Sequence, residues 1–544
     1  MSYVITQNCC NDATCVAVCP VDCIHPTPGE REYHTTEMLY IDPDTCIDCG
    51  ACADVCPVDA IAAADSLRPD QQPYRDLTAE YFARHPRTAA PGAHVQPLPL
   101  SLATAGRDDA APLWVAVVGS GPSAFYAAEE LLARRDIAAD VTVLERLPVA
   151  GGLVRFGVAP DHWRTKTVDR VFARTARRDG FTMHLGIEVG RDVTVAELLE
   201  HHHAVIHASG AAGDRRLGIP GEDLPGSHSA REFVAWYNGH PDHADRTFDL
   251  SARRAVVIGT GNVALDIARI LVTDNATLAA TDMADHALTA LADSAVDEVV
   301  VLGRRGPESA ACTTPELLAL DSLPGVDVLV DGPVAVTAGD PMKTRVLAEY
   351  ARRRPKPGNK RIVLRFGYTP VSVDGVERAE ALGVRGTETG VSETIPCGLV
   401  IRAVGYRGLP IAGLPFDETT GTVTHAAGRV IDPNSGEPVP GQYVAGWIKR
   451  GATGVIGTNR HCAAETVAAL VEDHRHGRLP APVAGTAEFA GLLRERCPEA
   501  LSGADWRAID RYERRRGQES GRPRVKIVDR VQAALVAAAD RGER

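Results

Sequence analysis

Four cysteines at Cys46, Cys49, Cys52 and Cys56, with Pro57 behind the last, stand in the order C-x2-C-x2-C-x3-C-P. Thiolates stepped this closely hold three corners of one iron–sulfur cube, and in chains with two clusters the fourth reaches the other cluster. A structural zinc site uses two separated Cys-x-x-Cys pairs instead. These residues therefore point to one-electron chemistry. Upstream, Cys9, Asp12, Cys15, Cys19 and Pro20 repeat the spacing with Asp12 in the second place. Each run continues alike, Pro-Val-Asp-Cys-Ile from Pro20 and Pro-Val-Asp-Ala-Ile from Pro57, so this part reads as an internal duplication.

A second chemistry follows. Gly119, Gly121 and Ala124 form a GxGxxA turn between an apolar strand and a helix, where free N–H groups and the helix dipole receive a pyrophosphate. The next strand, Val141 to Leu144, ends at Glu145, an acid suited to an adenosine ribose and unsuited to a 2′-phosphate, so the site fits FAD or NAD. Gly151, Gly152 and Leu153 suit a loop passing close to a flavin, with His162 shortly after. The motif recurs at Gly259, Gly261 and Ala264, but the strand Glu298 to Leu302 leads through Gly303 into Arg304 and Arg305. Two guanidiniums there complement a 2′-phosphate, which marks the second fold for NADP. Trp447, Gly454, Val455 and Ile456, in a glycine-rich turn before a helix from Asn459 to His474, fit the isoalloxazine end of a flavin.

The elements needed to position these groups divide the chain. Residues 1–65 form a small two-cluster α+β domain, too small to build a sufficient core alone, so the clusters help fold it. Residues 66–112 read as a linker, polar with helical character from Asp70 to His85 and then rich in Ala, Pro, Gly and Ser, with an ordered strap along the surface an equal reading for 66–85. Residues 113–220 form the first part of an FAD-binding Rossmann-like domain and 221–395 an inserted NADP-binding Rossmann-like domain. Residues 396–544 complete the FAD domain, returning at Cys397 to Gly405, and end in a tail that offers no chemistry. The His201–His203 triplet reads as solvated surface.

Composition narrows the class. The 544 residues carry a net charge of −13, and residues 1–65 hold eleven acidic residues against Arg31 alone. That acidic lobe argues against nucleic acid and suits docking on a basic redox partner or simple solubility. Nine of 13 cysteines fall between Cys9 and Cys56, which favours metal ligation over disulfides; Cys312, Cys397, Cys462 and Cys497 read as buried apolar residues. No signal-like start and no run of eighteen apolar residues is present, so a soluble, cytoplasmic protein with no membrane partner is expected.

The cysteine runs resemble two-cluster bacterial ferredoxins. The resemblance implies one 4Fe-4S cluster on Cys46, Cys49, Cys52 and Cys19, and a second on Cys9, Cys15 and Cys56. Asp12 leaves open whether the second is 3Fe-4S or 4Fe-4S. Cys10 and Cys23 lie outside the register, and Cys23 resembles the extra cysteine that seven-iron ferredoxins carry beside a cluster. The motifs GSGPSAFYAAEELL, AGGLVRFGVAPDH, VIGTGNVALDIARIL, GRRGP and GWIKRGATGVIGTN resemble the adrenodoxin-reductase-like ferredoxin–NADP reductases. The whole chain resembles the bacterial family in which a ferredoxin is fused to such a reductase.

That resemblance implies FAD contacts at Ser123, Glu145, Leu153, Val189, Trp447 and Gly454 to Ile456. It implies NADP contacts at Thr260, Gly261, Asn262, Val263, Arg304, Arg305, Glu316 and Gly454, and a place beside the flavin for His162. One departure stands out: Ala319 replaces an acid that in the family pairs with this histidine, which makes His162 a residue that shapes the flavin pocket. The expected activity is transfer from NADPH through FAD to iron–sulfur ferredoxin, since a hydride must be divided before a cluster can take it. Partners would be NADPH and redox proteins: ferredoxin, cytochrome P450-type or other acceptors. A second reading is the electron-input subunit of a larger enzyme such as glutamate synthase. Thioredoxin-reductase-like chemistry is disfavoured, because no Cys-x-x-Cys lies by the second nucleotide fold.

Overall fold

The duplication read from the cysteines is repeated in the backbone. In the computed structural model, which describes residues 2–86, 112–337 and 339–542, Asn11, Ala13 and Asp22 have φ of 56°, 57° and 49°. Asp48, Gly50 and Asp59, in the same places of the second run, have φ of 59°, 75° and 49°. These left-handed residues curl each loop, and short helices Thr14–Val18 and Ala51–Asp54 follow. Two antiparallel pairs close the lobe, Tyr3–Ile5 with Ile61–Ala63 and Ile24–His25 with Tyr40–Ile41.

Part of the expected linker is ordered. Helix Pro73–Arg84 packs on the lobe, with Tyr81 stacked on Tyr40 at 4.1 Å. From its other side Glu80 accepts from Met342 N at 3.0 Å and pairs with Arg345 at 2.9 Å. The aromatic and acidic positions of this stretch thus tie the lobe to the second nucleotide domain. Residues 87–111, expected to be the flexible part, lie outside the described residues.

The first nucleotide domain is built on an eight-stranded sheet. Its parallel centre runs Pro438–Val444, Ala204–His207, Leu113–Val118, Ala139–Glu145 and Phe181–Leu185. Val115, Val117, Val141 and Val143 are buried on one face and Ala116, Val118 and Leu144 on the other, as continuous apolar strands of a parallel sheet require. Helix Pro122–Leu132 packs closely against helix Thr458–Arg475, a contact that buried Ala124, Ala127, Ala128 and Ala463 permit.

The second domain is a six-stranded sheet in the order Ser227–Ser229, Leu399–Arg402, Arg254–Ile258, Glu298–Gly303, Lys360–Phe366 and Val326–Asp331, every neighbouring pair parallel. This corrects one boundary. Leu399–Arg402, expected to return to the FAD domain, lies inside the NADP-domain sheet beside Arg254–Ile258, so the crossover comes after Arg402 and not at 396. An apolar strand carries no mark of which sheet will take it. The observed class is otherwise the expected one, a small α+β lobe followed by two Rossmann-like folds. Among the described residues no helix is long and apolar enough to cross a membrane.

Two further expectations change. His202 is fully buried with Nδ1 on Leu198 O at 2.9 Å, and His203 Nδ1 accepts from Trp114 N at 3.0 Å, so the histidine triplet is structural and not solvated surface. The tail is a buttress. Strand Leu501–Ser502 extends the first sheet, and Glu513, 0% exposed, takes both Arg155 nitrogens at 2.8 and 2.6 Å beneath the Gly151–Gly157 loop. Breaking such a buried pair costs about 3–5 kcal/mol, which makes the tail part of the scaffold of that loop.

Candidate functional site: a cysteine-rich lobe seated on the Gly454–Gly457 segment

The two cysteine runs exchange their fourth members. Cys56 lies with Cys9, Cys15 and Asp12, while Cys19 lies with Cys46 and Cys52. Burial pushes the Cys9 thiol up to about 12 and the Cys10 and Cys15 thiols well above their ordinary value. A cationic partner is what makes thiolates there at neutral pH, so these convergent soft donors fit iron. No cysteine is in a disulfide. Cys23 S–H donation and nearby backbone N–H groups hold Cys19 at about 6, with Cys23 Sγ at 3.3 Å. Asp12 is engaged locally, accepting from Thr14 N at 3.2 Å and from Thr14 Oγ1, with Arg460 at 4.0 Å.

At the first nucleotide turn Gly119 has φ 103°, and a Cβ there would meet Ala208 O at 2.6 Å. At the second, Gly259 has φ 126°, and its Cβ would meet Ala403 O at 2.3 Å. Both turns thus require glycine at the strand end that feeds a helix N-terminus. Gly121 opens helix Pro122–Leu132 and Gly261 opens Asn262–Val272. Glu145 accepts from Ser120 N at 3.1 Å, Ser120 Oγ at 2.7 Å and Leu147 N at 2.9 Å, which fixes it at the strand end. Ser123 Oγ donates to Asn459 Oδ1 at 2.8 Å, and Asn459 Nδ2 donates to Val455 O and Ile456 O at 3.1 and 3.0 Å. Two segments more than 300 residues apart are joined there. Trp447 Nε1 donates to Thr453 O at 2.9 Å, which shapes the turn that carries Gly454. Leu153 is exposed in the Gly152–Phe156 helix, and Val189 bridges to Val193 just past the strand Phe181–Leu185.

Arg450, unremarked in the sequence, donates to Thr453 O and Asn459 Oδ1, while its Nε and Nη1 are buried without a protein partner. Orphaned donors beside this segment require an acceptor, and the oxygen-rich edge of a flavin nucleotide is one of the right chemistry. On the NADP side, Thr260 Oγ1 accepts from Ala311 N at 3.2 Å and Asn262 Oδ1 from Thr313 N at 2.8 Å, with Val263 half-buried beyond. Arg304 and Arg305 are exposed past the strand Glu298–Gly303, with no ion-pair partner among the described residues. Two unpaired guanidiniums at this position fit a 2′-phosphate.

Between the domains lies a buried charge cluster. Arg269, 3% exposed, binds Asp161 at 2.5 Å, Asp266 at 2.6 Å and Glu316 at 3.4 Å. His162 stands over it, 4.0 Å from Asp266 and 3.8 Å from Glu316. Asp266 and Glu316 are thus acids beside the ring, neither within hydrogen-bonding distance of it. Burial and the Arg269 charge lower the His162 pKa, so the ring is neutral at pH 7. Burial raises Asp266 and Glu316, whereas Arg269 overcomes burial to hold Asp161 at about 2. The sequence carries a signal for this cluster: Asp266 and Arg269 are charges three apart on a helix that is apolar beyond Asn262.

The lobe covers this region. Gly457 N donates to Cys10 O at 2.7 Å, and a Cβ on Gly457 would stand 2.1 Å from Asn11 C and O. Arg460 donates to Asp12 O and Thr14 Oγ1, both at 3.0 Å. Glu37 accepts from Thr314 N at 2.7 Å and pairs with Lys343 at 2.6 Å. Gln7 Nε2 lies 3.4 Å from His162 Nε2. The lobe thus touches both nucleotide domains, with the Cys9–Cys15 loop directly on the segment after Ile456.

Comparison with known proteins agrees with this geometry. Residues 39–62 match the 4Fe-4S binding domain, and residues 113–301 match the pyridine nucleotide-disulphide oxidoreductase family. A probable ferredoxin/ferredoxin–NADP reductase of Mycobacterium tuberculosis is 49% identical, covering 97% of this chain and 94% of that one. The chain belongs to the fused ferredoxin/ferredoxin–NADP reductase family. The family's reductase part extends further: bovine mitochondrial NADPH:adrenodoxin oxidoreductase is 42% identical over 76% of this chain and 90% of its own. The structure of M. tuberculosis FprA in complex with NADPH superposes with a TM-score of 0.74 at 43% identity, covering 79% of this chain and 100% of FprA. The chain is accordingly an oxidoreductase, an NADPH-dependent flavoprotein reductase carrying its own 4Fe-4S domain.

Proposed function

We propose that electrons from NADPH reach the chain's own N-terminal lobe first and leave from it to outside redox proteins such as a ferredoxin or a cytochrome P450-type acceptor. The seating of the Cys9–Cys15 loop on Gly457, where a single methyl group would not fit, carries this reading. When bound, FAD supplies the conversion of one hydride into two single electrons. Glu145 meets its adenosine ribose, the Gly119–Gly121 turn its pyrophosphate, and Ser123, Leu153, Val189, Trp447 and Gly454–Ile456 line its remaining length. Thr260 to Val263 cradle the NADPH pyrophosphate, Arg304 and Arg305 hold the 2′-phosphate, and Glu316 orients the nicotinamide end. Neutral His162 shapes the pocket between them, and the lobe above excludes water.

We infer that the second cluster is of the three-iron type on Cys9, Cys15 and Cys56, because the Asp12 carboxylate is held by Thr14 and Arg460. The cytoplasm suits thirteen cysteines without a disulfide. The reading as a subunit of a larger complex is set aside, since the reductase relatives match nearly the whole chain.

Anaerobic titration of the full-length holoprotein, following flavin absorbance and cluster electron paramagnetic resonance together, tests the route. NADPH far outperforms NADH and reduces both centres. A flavin reduced by excess NADPH beside clusters that stay oxidised would overturn it. Oxidised protein shows a three-iron signal, which Asp12→Cys removes while raising the iron content.

A further inference from the structure

The two cysteine sets meet different surroundings. The Cys9 set faces the reductase, closed off by Gly457 and Arg460. The Cys46 set opens to water: Cys49 is exposed, and so are Asp44 and Asp48 beside it. Two exposed large apolar side chains also border this set. Ile47, 58% exposed, follows Cys46, and Val18, 36% exposed, precedes Cys19. The lobe's one basic residue, Arg31, begins the short helix Arg31–His34, whose Tyr33 donates to Asn11 O beside the reductase contact, so it belongs to the other end.

We propose that the face centred on Ile47 and Val18 and rimmed by Asp44 and Asp48 is where an outside one-electron redox protein docks, its own acceptor group set in an apolar centre with a basic rim. The proposal rests on the route through the lobe argued above, and adds which face delivers and to what chemistry. An apolar centre with a charged rim is the anatomy of a protein interface. Here the centre is two residues wide, which suits the small, transient contacts of electron-transfer pairs, at the low end of interface area. Acidic rims steer a basic partner and make association fall with salt.

The probe is cytochrome c, a basic one-electron acceptor, used with the full-length holoprotein. Its binding to the oxidised protein is measured by surface plasmon resonance, its reduction by NADPH is followed by absorbance, and NADPH bleaching of the flavin serves as the control. Wild-type binding and reduction both fall as salt rises. Ile47→Lys and Asp44→Lys each weaken binding by about tenfold or more at low salt and slow cytochrome c reduction in proportion. Flavin bleaching and the NADPH-reduced cluster signals remain those of the wild type. Asp44 lies outside the cysteine run, so Asp44→Lys decides the matter if Ile47→Lys loses iron. Unchanged cytochrome c binding in Asp44→Lys, with clusters reduced normally, would overturn the docking face and leave the route intact. Clusters that NADPH fails to reduce in the wild type would overturn the route, and the docking face with it.

Discussion

The two cysteine runs share their spacing and even their left-handed residues, yet the first is pressed against Gly457 and Arg460 while Ile47, Asp48 and Cys49 of the second meet solvent. Local structure was duplicated and surroundings were not. A repeated sequence therefore builds two similar cradles, and packing against a third element assigns them different tasks. The difference also suits the one break in the cysteine pattern: Asp12 stands in the copy that is covered, where its neighbours Thr14 and Arg460 can hold a carboxylate.

The largest expected effect comes from Cys19→Ala. Cys19 belongs by sequence to the first run and by space to the Cys46 set. Its loss removes the four-iron signal of the Cys46 set and leaves the Cys9 set's signal in place, as read by iron analysis and electron paramagnetic resonance. Loss of the other signal would break the crosswise arrangement. Next is Gly457→Val, whose side chain has no room against the Asn11–Asp12 backbone. Stopped-flow mixing with NADPH should show cluster reduction at least about tenfold slower, because the Cys9–Cys15 loop is pushed off the segment it is seated on.

A smaller effect is expected for Arg460→Ala, which deletes two hydrogen bonds of about 0.5–1.5 kcal/mol each from the same contact. Cluster reduction slows severalfold, with flavin reduction unchanged. The smallest concerns the reductase side of the seam. Arg269 holds Asp161 at about 2 in the folded chain, below the ordinary 3.8, so the pair stabilises the fold above about pH 4 and that contribution is lost as pH falls towards 2. Urea melts of Asp161→Asn should show a stability loss at neutral pH and a flatter acid limb between pH 4 and 2 than the wild type.

Much of this molecule was determined by sequence alone, wherever the chemistry is local. The cysteine steps, the two glycine turns, Glu145 and the Arg304–Arg305 pair lie within a strand, a turn and a helix start of one another, so spacing suffices to place them. Tertiary structure decided what depends on partners far along the chain. Glu513 under Arg155, Asn459 beneath Ser123, the acids around His162 and the sheet that accepts Leu399–Arg402 are all pairings between distant residues. Hydrophobic periodicity says which side of an element is buried but not what it is buried against. The docked lobe is the clearest case. An acidic, cysteine-rich domain can be read from its residues, while the run that faces the Gly454–Gly457 segment is set by shape, by a glycine without a side chain at position 457, and by an arginine one helical turn beyond it.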